Sequence, residues 1–301
     1  MNMLVKEAQP ALRAAVRMTE RVCSLPAVAT QDWCDLAAAA LLPIDQAGIA
    51  VVVIGQIDEH GVFIKSEATG VAGVHTAEVT TTVGRPVTAT NLVELDANDA
   101  TLTRVRGAMA QARELSWGPG TLAVGAARVT SIDRTHPSAS APTGVLRRWD
   151  GVKLGGLVLA AAGIGPDRRM LAAEVGLIGG TTAQLEQLTS AIEAVAPSLA
   201  RRAVMAIGTE LTDGSQWLTI REQAILKHLL LGKSVKDIAE ELGRSPHTVH
   251  DHVKSLHKKL NAKSRGQLVA RALGHVEPSP VQVVAKPQAS QPEKTGASGN
   301  G

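Results

Sequence analysis

Hydrophobic positions change their period several times along the N-terminal two thirds of the chain, and the changes predict its first elements. The segment up to about Thr30 has an amphipathic helical pattern that Pro10 interrupts, and Asp32 to Leu42 is a second, alanine-rich helical stretch. β-Branched residues from Ile49 to Ile57 indicate a strand. A Gly-containing turn at 58–61 joins this strand to a second one, so the pair is predicted to form a hairpin.

Further hairpins and helices are predicted downstream. A strand is indicated from Val145 to Trp149, and the turn Asp150-Gly151 leads from it into a long apolar strand that ends at Ala162. The other predicted elements are strands at Thr80–Val83 and Leu122–Ile132 and helices at Leu102–Leu115 and Arg168–Leu177. Because the strands come as hairpins, the pattern predicts an α+β domain with a mostly antiparallel sheet and flanking helices.

Thr182 to Leu211 is predicted to be a long helix. Its apolar residues follow the 3-4-3-4 spacing of a coiled-coil seam, at Leu185, Leu188, Ile192, Val195 and Leu199. Two interpretations remain open here, a seam between two copies or a helix packed on its own domain. Pro197 predicts either a kink or two successive helices.

Start and stop signals divide Leu218 to Leu273 into four short helices. Each start has a hydroxyl residue suited to an N-cap, at Thr219, Ser234, Ser245 and Ser264. Gly232 and Gly243 follow the first two helices, and Pro246 occupies the first position of the third. Two helices joined by a tight turn form the geometry of helix-turn-helix DNA-binding proteins.

The third of these helices has two distinct faces. Its apolar face, Val249, Val253, Leu256 and Leu260, recurs at helical spacing and is predicted to pack on the preceding helices. The polar face carries His247, His250, Asp251, Lys254 and Lys258 and suits a DNA major groove. Lys254 is a donor for guanine. Asp251 either accepts from cytosine or orients His250 or Lys254. The three nearby histidines share no face or acidic co-ligand, so no metal site is predicted.

Charge is distributed unevenly along the chain. The net charge is +3, but Leu218 to Gly274 contains eleven Lys/Arg and five Asp/Glu, the tail after it is neutral, and the first 217 residues are mildly acidic. A basic module on an acidic one is typical of proteins that bind nucleic acid at one end. Tyr is absent and Phe63 is the only Phe, so any ligand pocket is expected to be aliphatic.

The C-terminal residues resemble the helix-turn-helix of LuxR/GerE-type transcription regulators. The matching positions are Leu218–Glu222, Leu231–Ser234, Asp237–Ala239, Leu242, Ser245, Thr248, Val249, His252, Val253, Lys259, Leu260, Ser264 and Arg265. The resemblance implies binding to double-stranded DNA and pairing of two protomers through Leu268, Val269 and Ala272. His250 stands where the family commonly has Lys, which weakens the transfer of that lysine's role. The predicted DNA-contacting residues are Ser245, His247, Thr248, His250, Asp251, Lys254, Lys258, Lys263 and Arg265.

The resulting organisation has four parts: a domain at 1–211, a linker at 212–217, the DNA-binding domain at 218–274 and a disordered tail at 275–301. The first domain is similar to GAF or PAS sensor domains, without a defining motif, and is predicted either to sense a small molecule or only to dimerise. Its acidic residues and Lys153 do not fit a phospho-receiver domain. Cys23 and Cys34 are expected to be reduced thiols, with a redox-sensing pair as the alternative.

The sequence predicts a homodimeric cytoplasmic regulator without catalytic residues, cofactor or metal. No membrane partner is predicted, since no apolar run reaches ~18 residues. RNA polymerase is a second candidate partner. Two alternatives remain. One is a sigma-factor-like protein, which would have a similar DNA-binding domain. The other is a ligand-binding or enzymatic module that the C-terminal domain merely attaches to DNA.

Overall fold

The computed structural model describes residues 2–59, 62–80, 88–111, 122–134, 143–165, 168–207 and 217–275. The helices before the linker are α1 (Asn2–Cys23), α2 (Trp33–Ala40), α3 (Ala100–Ala110), α4 (Thr143–Arg148) and α5 (Thr182–Ile207). The strands are β1 (Gly48–Ile57), β2 (Phe63–Thr80), β3 (Thr88–Glu94), β4 (Ala127–Asp133), β5 (Leu154–Gly165) and β6 (Arg169–Ile178). After the linker follow α6 (Ile220–Leu230), α7 (Val235–Glu241), α8 (Pro246–Lys259) and α9 (Arg265–Ala272).

The six strands form one antiparallel sheet in the order β3-β2-β1-β6-β5-β4. Both of its faces are covered. Alternate residues of β1 enter two separate cores: Val52 packs with α1, α2 and α5, whereas Val51 packs with α3 and α4. Two covered faces explain why β1 is apolar at nearly every position instead of alternating. The predicted antiparallel sheet with flanking helices is therefore confirmed.

Two element assignments from the sequence were wrong. The predicted helix Arg168–Leu177 is the central strand β6, and the predicted strand Val145–Trp149 lies largely within the short helix α4. Nine of the ten residues of β6 are buried, including Arg169 and Glu174, so the segment lacks the period of two that indicates a half-buried strand. Sequence alone does not distinguish such a segment from a buried helix. Asp150-Gly151 is a turn, as expected, but it joins a helix to β5.

Both prolines predicted to interrupt helices lie inside continuous ones. α1 runs through Pro10 and α5 runs through Pro197, so Thr182 onward is one helix. Both prolines are exposed. Pro197 has no N–H to donate to the carbonyl oxygen of Glu193, which is also exposed. Water can hydrogen-bond to that oxygen, while the buried face of α5 continues to pack on the sheet.

The predicted seam of α5 packs within its own domain. All five seam residues are buried against the sheet and α1 in the larger core, from Leu185 to Leu199. This settles the open alternative, because a seam already covered by the chain offers no surface to a second copy.

A buried ion pair lies between α4 and the sheet. Arg148 donates to Glu174 of β6, and Trp149 Nε1 donates to the same carboxylate at 2.7 Å. Arg148 is 7% exposed and Glu174 is 2% exposed. Because neither charge has access to water, each needs the other as its partner. The pair therefore fixes α4 over the centre of the sheet.

The two parts of the chain are in direct contact. The Leu218 amide donates to the Ala29 carbonyl at 2.7 Å, and Val28 is buried in the core formed by α6 to α9. Trp217 packs on the core that contains α5. The segment after α1 was expected to be the end of a helix. It instead forms the surface that contacts the C-terminal domain.

Some predictions fall outside the described residues: most of the predicted strand at Thr80–Val83, the ends of the helices predicted to reach Leu115 and Leu211, the linker before Trp217 and the tail from 276. β3 was not predicted. In the described part of the chain, every helix is too short or too polar to cross a bilayer.

Candidate nucleic-acid interface

The C-terminal domain is organised by its helix caps. Thr219, Ser234, Ser245 and Ser264 each accept a hydrogen bond from a backbone amide three residues on, as the sequence predicted. Gly243, at a φ of +60°, ends the second helix in a conformation that favours glycine and turns the chain directly into the cap of α8. The caps therefore determine where each helix begins and how α7 and α8 are joined.

Glu222 connects the start of α6 to the end of α8. Its carboxylate accepts hydrogen bonds from the Thr219 amide at 2.7 Å, Ser255 Oγ at 2.6 Å and Lys259 Nζ at 2.7 Å. Burial would raise the pKa of Glu222, but the hydrogen bonds from Lys259, Ser255 and Thr219 outweigh it and lower the pKa to about 2. The ionised carboxylate is thus a stable internal anchor for α8.

The apolar face of α8 is held in the domain core. Val249 and Leu256 are fully buried with Ile225, Leu229 and Ile238. The half-buried Val253 and Leu260 pack on the same cluster. The predicted inward face is confirmed, and it fixes the rotation of α8 about its own axis.

The opposite face of α8 is open to solvent and carries the predicted polar stripe. His247, His250, Asp251, Lys254 and Lys258 are all exposed, with His247 at 83% and Lys254 at 67%. Because these side chains do not support the core, the stripe is available for a partner.

Asp251 lies between two neighbours on the stripe. Its carboxylate is 3.3 Å from His247 Nδ1 and 3.7 Å from Lys254 Nζ. The sequence offered His250 or Lys254 as the side chain that Asp251 orients; the structure pairs it with Lys254 and His247. The carboxylate also offsets part of the positive charge of this surface.

The other predicted contact residues lie at the edges of the stripe. Ser245 and Thr248 stand at the start of α8, where their hydroxyl groups are 2.9 Å apart. Lys263 is exposed in the turn before α9. The Arg265 guanidinium donates to the Lys233 carbonyl at 2.7 Å, which ties α9 to the end of α6. A DNA contact by any of these four residues remains a prediction.

The residues predicted to pair protomers differ in exposure. Leu268 is fully buried in the core of the domain, so its side chain serves packing within the chain. Val269 and Ala272 are half-buried on the same helix, followed by Leu273 with 52% exposure.

A basic cleft beside the stripe was not predicted. Arg221, Arg244, Thr248 and His252 line a space of about 190 Å³ between α6, the turn before α8 and the start of α8. Arg244 is the middle residue of the Gly-Arg-Ser turn, so its position in a tight turn beside the cap was the available signal. Two guanidinium groups next to a helix N-terminus favour an anionic ligand such as a phosphate.

In the ranges that the structure describes, no group of three or more His, Cys, Asp or Glu side chains is positioned to hold a metal ion.

Residues 216–272 match the family model described as "Bacterial regulatory proteins, luxR family". The transcriptional regulatory protein MctR of Rhizobium johnstonii is 41% identical over 69 residues, 23% of this chain and 32% of that protein. The transcriptional regulatory protein UhpA of Escherichia coli is 42% identical over 66 residues, 22% of this chain and 34% of that protein. The chain thus spans about a third of the length of these curated relatives.

Among solved structures, SdiA in complex with octanoyl-rac-glycerol is 14% identical and covers 91% of this chain and 96% of its own, with a TM-score of 0.26. The Vibrio cholerae VqmA dimer is 24% identical and covers 41% and 50%, with a TM-score of 0.19. At such scores these likenesses support no conclusion about this chain.

Proposed function

Residues 216–272 are a helix-turn-helix domain of the luxR family, and on that premise we propose that the chain is a sequence-specific DNA-binding transcription regulator. The observation that carries the proposal is α8. One of its faces is held in the core by Val249, Leu256 and the Glu222 anchor, and the other presents a row of exposed polar side chains. A rigid helix with an exposed polar face is what a major groove accepts.

The exposed groups divide into two roles. Lys254, His250 and Asp251 face base edges, where Lys254 donates to guanine O6 or N7. Arg221 and Arg244, with the capped start of α8, hold a phosphate and fix the register of the domain on the duplex. Base contacts then give specificity, and phosphate contacts give most of the affinity and its salt dependence.

The regulator works as a homodimer in the cytoplasm. Support for pairing comes from the end of α9, where Val269 and Ala272 are half-buried and the following Leu273 is exposed. The N-terminal domain acts as a GAF- or PAS-like sensor, and its contact with the C-terminal domain through the segment at 25–30 gives a route for the signal. RNA polymerase is the partner through which the bound dimer acts on transcription. The sigma-factor alternative has no support in the family match.

Selection from a randomised duplex library with the full chain tests this function. We expect one enriched, two-fold symmetric motif. Binding to the selected site should weaken with salt, at a log–log slope of about −0.9 per phosphate contacted.

Two results would count against the proposal. A library that yields no motif would exclude sequence-specific binding. An affinity that stays the same between ~50 and ~200 mM salt would exclude the phosphate contacts. Arg221→Ala with Arg244→Ala should reduce the salt slope, whereas the matched pair Arg13→Ala with Arg17→Ala on α1 should leave it unchanged.

A further inference from the structure

A cleft of about 770 Å³ opens between the end of α1, α2 and the β2–β3 edge of the sheet. Its interior is aliphatic, with Leu25, Leu36, Ala39, Leu42, Leu95 and Leu102 among the lining residues. It is separate from the DNA-binding surface and from the buried Arg148–Glu174 pair.

The size and lining of the cleft suit a small organic molecule. Ligand sites in proteins are mostly apolar concavities of about 300–1,000 Å³ with a few polar groups. No aromatic side chain belongs to the described lining, so the walls favour an alkyl or alicyclic group over a stacked ring. Leu36 is one of the lining residues and is 40% exposed. A ligand would remove that surface from water.

The polar rim of the cleft is acidic. Glu20, Arg21, Asp35 and Glu94 line it, and Asp35 is already paired with Arg106 at 2.6 Å. Within the described ranges, the carboxylates of Glu20 and Glu94 form no ion pair. With a single lining arginine against them, the rim favours a cation over an anion.

We propose that this cleft is an effector site for an aliphatic small molecule that carries an amine. The alkyl part lies against Leu36 and Ala39, and the ammonium group lies at Glu20 and Glu94. The two parts of the ligand are thus matched by the two parts of the cleft.

The cleft is connected to the DNA-binding domain through the segment that follows α1. Leu25 lines the cleft, and its carbonyl accepts a hydrogen bond from Arg202 of α5. Three residues on, Val28 is buried in the core of the DNA-binding domain, and Ala29 binds the Leu218 amide. A ligand that moves the end of α1 therefore changes the contacts of Val28 and Ala29 with the DNA-binding domain. This regulatory consequence, unlike the binding itself, rests on the proposed function.

Isothermal titration calorimetry of the full chain with heptylamine, heptanol and heptanoate tests the site. The three probes share one alkyl chain and differ in charge. We expect heptylamine to bind about tenfold or more tightly than heptanoate, since each of the two exposed carboxylates contributes roughly threefold. Glu20→Gln with Glu94→Gln should weaken heptylamine by a similar factor and leave heptanol unchanged. The control Glu186→Gln with Glu193→Gln, on the exposed side of α5, should change neither.

A cleft-filling variant addresses the apolar part. Ala39→Phe should abolish the binding of heptylamine and heptanol while the circular dichroism spectrum stays native. The charge variants lie on the surface and keep the test decisive if Ala39→Phe does not fold. Equal affinity for heptylamine and heptanoate, or no binding of any probe, would overturn the proposal even if the chain binds DNA normally. If the chain binds heptylamine as expected but binds no DNA, that result would contradict the proposed function and leave the cleft proposal standing.

Discussion

Replacing Glu222 with Gln removes the charge that connects the start of α6 to the end of α8. The carboxylate is buried and accepts hydrogen bonds from Thr219, Ser255 and Lys259. A pKa lowered from 4.5 to about 2 corresponds to about 3 kcal/mol of folding free energy at neutral pH. We therefore expect Glu222→Gln to destabilise α6 and α8 by about 2–3 kcal/mol, because the amide retains part of the hydrogen bonding.

The pH dependence follows from the direction of the shift. Because the folded-state pKa lies below the unfolded one, the stabilisation is complete above about pH 5 and is lost as the pH falls towards 2. Hydrogen–deuterium exchange of α6 and α8 amides in the full chain measures this locally. At pH 7 the protection of these amides should be about 30- to 150-fold lower in the variant than in the original chain. At pH 3 the difference in free energy between the two proteins should be less than half of its value at pH 7.

The matched control is Glu240→Gln on the exposed side of α7, which should leave exchange unchanged at both pH values. A difference between Glu222→Gln and the original chain that stayed constant from pH 7 to pH 3 would refute the account of Glu222 as an ionised anchor.

Three further variants test other parts of the structure. Lys254→Ala should cost about 1–3 kcal/mol on the selected site and relax one base preference, measured by titration of single-base site variants; an unchanged preference contradicts its base contact. Leu268→Ala should destabilise the C-terminal domain by about 2–5 kcal/mol in exchange experiments, and a loss well under 1 kcal/mol would show that it does not serve the core. Glu174→Gln should cost about 3–5 kcal/mol in urea unfolding followed by tryptophan fluorescence, because it leaves Arg148 buried without its anion. The double variant Glu174→Leu with Arg148→Leu should recover much of this loss, and an unaltered midpoint for the single variant would be inconsistent with the pair.

The DNA-binding domain could be predicted from the sequence because its signals are local. A cap such as Ser245 lies three residues from the amide that it binds, and Val249 and Leu256 lie two turns apart on one helix. The contacts that join distant positions were not readable in the same way. Glu222 was named only within the matching segment Leu218–Glu222, and its bonds to Ser255 and Lys259 depend on the packing of α6 against α8.

The sheet was harder to predict because its strands do not alternate. β6 is buried on both faces, so its sequence contains no period of two that would exclude a helix. β2 was predicted only as the second strand of the first hairpin, and its 18 residues include Gly70 and Gly73. In the structure, a Cβ at Gly70 would lie 2.1 Å from the backbone of Cys34 and Asp35, so this glycine allows α2 to approach the strand. Such a contact between distant segments leaves no local pattern.

Site-specific photo-crosslinking tests most directly whether α8 lies against DNA. A benzophenone amino acid replaces His250 on the polar stripe or, as the control, Glu186 on α5 of the full chain. With the selected duplex, the His250 position should crosslink to DNA, an excess of unlabelled duplex should compete with it, and the Glu186 position should not react. A chain that still binds the duplex but crosslinks from neither position, or equally from both, would contradict the assignment of α8 as the reading helix.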